Sequence, residues 1–181
     1  MYYANLLLVV LALLLSGCEE NLNPSGDDKR PSVDTTLVGY QVGQIAPDVT
    51  LESTLSGTTQ SHYTLYTETG SHDAVVLYFT MWCPVCDEHM SHLRNIYLSN
   101  YPNVQFLLVD YVNGTVSDAR ISQLGAGYGG MVTLADTSGL AENLYNGTMG
   151  STVVISSANR VLMNQDYSDG SKLGQVLGAL P

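Results

Sequence analysis

A chain of 181 residues is long enough for one domain with a sizeable core. Its 6 Lys and Arg against 17 Asp and Glu leave a formal net charge of -11. That balance excludes the basic footprint of a nucleic-acid binder and electrostatic attachment to anionic lipid.

The chain opens on an almost wholly aliphatic run at 6–15, closed by Leu15-Ser16-Gly17-Cys18. A run of this kind has the length of a signal peptide and falls short of the roughly 20 residues that span a bilayer. Leu-Ser-Gly-Cys resembles the bacterial lipobox, which implies removal of residues 1–17 and lipidation of Cys18. Residues 1–5 depart from the usual pattern, because they contain no Lys or Arg. With more than one acyl chain the anchor would be stable. Glu19 after the cysteine points, by the same resemblance, to the periplasmic side of an outer membrane. Residues 18–38 then read as a lipidated cysteine and a flexible tether, rich in Asn, Pro, Ser, Gly and Asp and without apolar period. Twenty such residues reach about 25 Å.

A folded domain is expected over 39–181. After a turn-rich stretch to His72, residues 74–79 (Ala-Val-Val-Leu-Tyr-Phe) form an unbroken apolar run, as expected of a strand buried on both faces. A helix follows at 85–99, with Cys86, Met90, Leu93 and Tyr97 on one side, and then a second apolar strand at 104–109. The pattern continues with a short helix at 116–124, a flexible glycine-rich stretch at 125–130 and a brief strand at 131–134. A helix then carries Leu140, Ala141, Leu144 and Tyr145 on one face. Residues 152–156 and 161–164 form a hairpin turning at 157–159, before a last helix with Leu173, Val176, Leu177 and Leu180 together. This alternation predicts an α/β domain with a mixed central sheet and helices on both faces.

Trp82-Cys83-Pro84-Val85-Cys86 stands where the first long strand gives way to its helix. Pro84 suits the first helical position, which puts Cys83 at the N-cap, beside unpaired amides and the positive end of the helix dipole. That setting favours the thiolate, which is the nucleophile. Residues i and i+3 on a helix bring their Cβ atoms to about 5–6 Å, and a first cysteine half outside the helix closes the remaining gap to a disulfide. Cys83 is therefore expected to attack a substrate disulfide and Cys86, one turn further in, to resolve the mixed disulfide. A structural bridge or a zinc half-site are the other uses of such a pair. The longer run Cys83, Cys86, His89, His92 cannot close on one tetrahedral zinc, because each step of three drifts backwards by about 60° around the helix. His89 and His92 read as surface residues. Asn113-Gly114-Thr115 and Asn146-Gly147-Thr148 read as turns.

Three segments carry a resemblance: Gly43-x-x-Ala46-Pro47-Asp48-x-x-Leu51, then Phe79-Thr80-Met81-Trp82-Cys83-Pro84-Val85-Cys86, and Ser151-Thr152-Val153-Val154-Ile155-Ser156. Together they resemble the thioredoxin-like superfamily, and more narrowly its TlpA/ResA-type and AhpC/TSA-redoxin branch. The resemblance covers about residues 39–180. It implies a tethered or periplasmic thiol–disulfide oxidoreductase working on protein thiols and disulfides with a redox partner protein, without an organic cofactor or a metal. It also implies a substrate groove formed by Trp82, Pro84, Met149 and Gly150. Two departures stand out. Where the family has a cis-proline, this chain has Met149-Gly150, expected to be trans with glycine supplying an unusual backbone conformation. Where thioredoxins bury an aspartate five or six residues before the first cysteine, this chain has Leu77 and Tyr78, and Glu68 and Asp73 read as solvated loop charges. Two other functions share these residues. Cys83, Cys86 and His89 could hold Cu(I) as in a metallochaperone. Thr80-x-x-Cys83 matches part of a peroxiredoxin signature whose proline is replaced by Val76.

Overall fold

The apolar run after Asp73 becomes the middle of a sheet, and all seven of its residues are buried. In the computed structural model, which describes residues 31–55 and 60–181, this strand is β3 (Ala74–Thr80). Around it stand β1 (Thr50–Ser53), β2 (His62–Thr64), β4 (Val104–Asp110), β5 (Thr133–Ala135), β6 (Ser151–Ser156) and β7 (Val161–Asp166). Their order is β2-β1-β5-β4-β3-β6-β7 among the described residues. β3, β4 and β5 run parallel, while β6 and β7 on one side and β1 and β2 on the other pair antiparallel.

The helices are α1 (Leu65–Thr69), α2 (Pro84–His92), α3 (Val116–Gly125), α4 (Leu140–Tyr145) and α5 (Ser171–Leu177). Alternation along β3 sends Ala74, Val76 and Tyr78 into one core with Met90 of α2, Leu93 just after it, and Leu173 and Leu177 of α5. Val75, Leu77 and Phe79 enter the other, with Leu65 of α1 and Ala141 and Tyr145 of α4. The parallel centre is thus covered on both sides, as its continuous apolar sequence requires. The expected α/β architecture with a mixed sheet is present.

Several elements differ from expectation for identifiable reasons. The stretch before His72 contains β2 and α1, both too short for a periodic signal. Glu68 is buried in α1 rather than solvated, and accepts a 2.7 Å bond from Gln60 Nε2. The helix after the cysteines is not one α-helix. It widens into a π-helical turn at Leu93–Tyr97 and ends in a single α-turn at Leu98–Asn100. The glycine-rich stretch is tied down: Tyr128 is buried, and its hydroxyl donates to the Asp87 carboxylate at 2.6 Å. The fifth strand starts at Thr133, two residues late, because the Met131 carbonyl accepts the Gln123 side chain at 2.6 Å instead of pairing. Leu140, at the first turn of α4, is exposed. Backbone contacts also reach back to Asp34 and Thr35, whose carbonyls accept Gln44 Nε2 and the Arg160 guanidinium. Residues 1–17 and Cys18 lie outside the described residues, and no described helix is long and apolar enough to cross a membrane.

Candidate active site

Cys83 occupies the N-cap of α2 with extended backbone, and Pro84 takes the first helical position. The amide of Cys86 donates to Cys83 Sγ at 3.2 Å, so the sulfur uses one of the helix's otherwise unpaired donors. The two sulfurs stand 2.7 Å apart as free thiols. Cys83 is partly accessible, whereas Cys86 is completely buried.

These thiols titrate as a pair. Burial and the contact with the Cys86 thiol push Cys83 up, against the pull of the Cys86 amide on its sulfur. Burial also works to raise Cys86, but hydrogen bonds from the Cys83 thiol, the Met81 and Cys83 backbone and the Thr80 hydroxyl outweigh it and bring Cys86 down. Position at the helix start alone would lower Cys83, whereas with burial and the neighbouring thiol included Cys83 is raised and Cys86 lowered.

Trp82 has a positive φ of 59°, a conformation that costs a bulky residue energy unless its surroundings hold it. Two bonds do so. Its amide donates to Thr80 Oγ1 at 3.1 Å, and its indole N–H donates to Asp110 Oδ2 at 2.6 Å. Asp110, at the end of β4, is fully buried and also accepts the amides of Val112 and Asn113 and the Asn113 side chain. The sequence reading did not single out this carboxylate. Its only sequence signal is an acid closing an apolar strand.

On the other side of Cys83, Met149 Sδ lies 3.2 Å from its sulfur, and the Met149 side chain is exposed. The described peptide bonds are all trans, and Gly150 has φ +82°, which glycine adopts without steric cost. The loop around Met149 is fixed from below. The Gly150 amide donates to the Phe79 carbonyl at 3.0 Å, and the Tyr167 amide donates to the Gly150 carbonyl at 2.8 Å. A Cβ on Gly147 would meet the Phe79 ring at 2.5 Å, so only glycine fits there. Of the residues assigned to a groove, Trp82 and Pro84 thus adjoin Cys83 in the chain, Met149 touches its sulfur, and Gly150 shapes the loop beneath.

His89 and His92, expected on the surface, are only partly exposed. Both are half-buried in a cluster of rings: His89 Nδ1 is 3.0 Å from the Tyr78 hydroxyl, and His92 Nδ1 is 2.8 Å from the Tyr167 hydroxyl. Among the described residues no group of three or more His, Cys, Asp or Glu side chains is arranged to hold a metal ion.

No protein-family model matches the sequence, and no curated protein is detectably similar to it. Solved structures are similar in three dimensions. A protein of Chlorobium tepidum described as a thiol:disulfide interchange protein DsbE aligns with a TM-score of 0.63 at 21% identity, over 78% of this chain and 98% of that one. A protein of Bacteroides thetaiotaomicron described as a protein disulfide isomerase gives a TM-score of 0.65 at 18% identity, over 80% and 94%. A secreted Mycobacterium tuberculosis disulfide oxidoreductase homologous to the E. coli DsbE gives 0.56 at 18% identity, over 73% and 96%. The chain has the thioredoxin-like fold. The likeness spans nearly the whole of those chains, so the order of strands and helices around Cys83 and Cys86 belongs to a shared architecture.

Proposed function

We propose that this protein is a thiol–disulfide oxidoreductase that cycles Cys83 and Cys86 between dithiol and disulfide, carried outside the cytoplasm on a lipid attached to Cys18. The observation that carries this reading is the pair itself. One sulfur is reachable and one buried, 2.7 Å apart, at a helix start that presents an amide to the outer one. In the reducing direction Cys83 attacks a substrate disulfide and releases the first substrate thiol. The buried Cys86 then attacks Cys83 Sγ, the mixed disulfide breaks, and the second thiol leaves. Two electrons and two protons pass from the protein dithiol to the substrate. The partners are protein disulfides and a redox protein that restores the dithiol. Pro84 and Val85 bring no charge to stabilise the reduced form, which disfavours a strongly oxidising pair.

Supporting the location are the lipobox-like Leu15-Ser16-Gly17-Cys18 and the secreted character of one of the similar structures. Disulfide chemistry is also the ordinary use of paired cysteines in an oxidising compartment.

The test is insulin reduction by the full chain. Wild type is expected to turn over. Cys83→Ser is expected to be inert, and Cys86→Ser to stop at a mixed disulfide that mass spectrometry detects. Preferential turnover of peroxide would replace this reading with a peroxidase, and tight stoichiometric Cu(I) binding without disulfide turnover would replace it with a metallochaperone. Cys18→Ser is expected to shift the protein from the membrane to the soluble fraction, and retention in the membrane would remove the lipid anchor from the proposal.

A further inference from the structure

Cys86 has no route to solvent of its own, since it is completely buried. In the free dithiol its sulfur lies 2.7 Å from the Cys83 thiol. That hydrogen-bond donor is lost in the mixed disulfide, because Cys83 no longer has a proton to give. The Cys86 thiol must lose its proton before it can act as a nucleophile.

Two hydroxyls are placed to hydrogen-bond the Cys86 sulfur, that of Thr80 and that of Tyr78, which shares its buried cluster. Thr80 can donate a hydrogen bond but leads no further, since its oxygen accepts the Trp82 amide. Tyr78 leads outward: its hydroxyl is 3.0 Å from His89 Nδ1, and the two rings meet edge to face. His89 is half-buried, reaching both the hydroxyl inside and the protein surface. We propose that His89, through the Tyr78 hydroxyl, receives the Cys86 proton as Cys86 resolves the mixed disulfide.

The step balances. The Cys86 S–H proton moves to Tyr78 Oη while the Tyr78 proton moves to His89 Nδ1, leaving Cys86 as thiolate and His89 as imidazolium. The thiolate forms the bond to Cys83 Sγ, the Cys83–substrate bond breaks, and its electron pair leaves on the substrate sulfur. That thiolate takes a proton from water, and His89 returns its own to water. Burial raises the Tyr78 hydroxyl far above its ordinary value, with the two nearby cysteines adding to the effect, so it passes protons without becoming a resting anion. Burial also holds His89 below the ordinary histidine range, so near neutrality its ring is uncharged and can accept. The groups facing His89 are Glu88 and His92 on its own helix, Asp166 at the end of β7, Tyr167 beyond it with ring centroids 4.7 Å apart, and Tyr78 on β3. Glu88 and Asp166 oppose the lowering, and His92 adds to it.

Tyr78, in the same buried cluster as Cys86, is the member beside the reacting sulfur, whereas His89 acts through it. The inference rests on the thiol–disulfide reading, and a two-phase experiment separates them. Stopped-flow reaction of the reduced full chain, carrying Cys18→Ser in every variant so that only Cys83 and Cys86 report, with dithiobis-nitrobenzoate, a chromogenic disulfide, releases one thiol when Cys83 attacks and a second when Cys86 resolves. In wild type the second phase is expected to slow as pH falls through the His89 transition, because a protonated imidazole cannot accept. Tyr78→Phe and His89→Gln are each expected to slow the second phase relative to the first by about 100-fold, the lower end of a positioned acid–base group's contribution. Both are expected to erase the acid limb. His89→Gln can still accept a hydrogen bond but not a proton, so a purely structural role would leave its profile near wild type. A second phase unchanged in rate and pH profile in both variants overturns the relay. Wild type that resolves the probe by this profile but leaves insulin intact supports the relay and removes the protein-disulfide substrate. Wild type that stops after the first release overturns relay and disulfide cycle together.

Discussion

Cys83 faces solvent between the Trp82 backbone and the Met149 thioether, while Cys86, three residues on, sits in the core cluster that holds Tyr78 and Met90. The outer sulfur is governed by backbone, through the helix-start amide, the positive φ of Trp82 and the Met149–Gly150 loop. The inner sulfur is governed by burial and by hydrogen bonds from the Cys83 thiol, the Met81 and Cys83 backbone and the Thr80 hydroxyl. Position along one turn of helix thus separates an accessible sulfur from one where water is excluded; in the proposed function the first meets a partner and the second exchanges a proton. The outer task needs fixed shape, and the inner one needs a path for charge.

Disturbing the outer side through Asp110 is expected to have the largest effect on stability. Asp110 Oδ2 accepts the Trp82 indole and the Asn113 side chain while Oδ1 accepts the Val112 and Asn113 amides, so in Asp110→Asn one of these pairs faces an NH2 group and leaves buried donors unpaired. The expected loss is about 3 kcal/mol in urea unfolding. The chain has 1 Trp, so a red shift of its emission would report displacement at the site directly. A smaller disturbance is Gly150→Ala. The added Cβ would lie 3.6 Å from the His89 ring, an ordinary contact, so its cost comes from the positive φ alone. About 1–2 kcal/mol is expected, together with a changed rate for Cys83 alkylation as Met149 moves. The smallest effect sharpens the contrast by touching neither sulfur. Tyr128→Phe removes the hydroxyl bonds to the Asp87 carbonyl and carboxylate at 2.9 and 2.6 Å. A loss of about 1 kcal/mol is expected, with the ratio of the two thiol-release phases unaltered.

The outer half of this site was largely legible in the sequence, because it is local. Cys-Pro-x-Cys after an apolar strand fixes the helix start, the N-cap and the spacing of the sulfurs within four residues. Glycine at 150 in place of the family's proline foretold a trans peptide with unusual φ for a similar reason. The inner half depends on partners brought together by the sheet. Tyr78 and His89 are 11 residues apart, and nothing in either one's neighbours along the chain marks the contact. Asp110 and Trp82 are 28 apart, joined because β4 runs parallel beside β3. The same limit explains Glu68, read as solvated from its polar surroundings but buried by α1, and the 125–130 stretch, read as flexible from its glycines but anchored by one tyrosine. The π-helical turn at Leu93–Tyr97 has no counterpart in the apolar spacing, which continues through it as through an ordinary helix.

The backbone beneath Met149 is stapled to β3 and to the Tyr167 amide, and Gly147 lies flat against Phe79, so the loop's course is dictated from the interior. The side chain at 149 nonetheless projects outward beside the reactive sulfur. That position is an interchangeable tooth on a fixed jaw: polarity, bulk or charge can be swapped there without rebuilding the mount. On the proposed function, divergence in which disulfides the protein accepts would be easiest to achieve at this one residue.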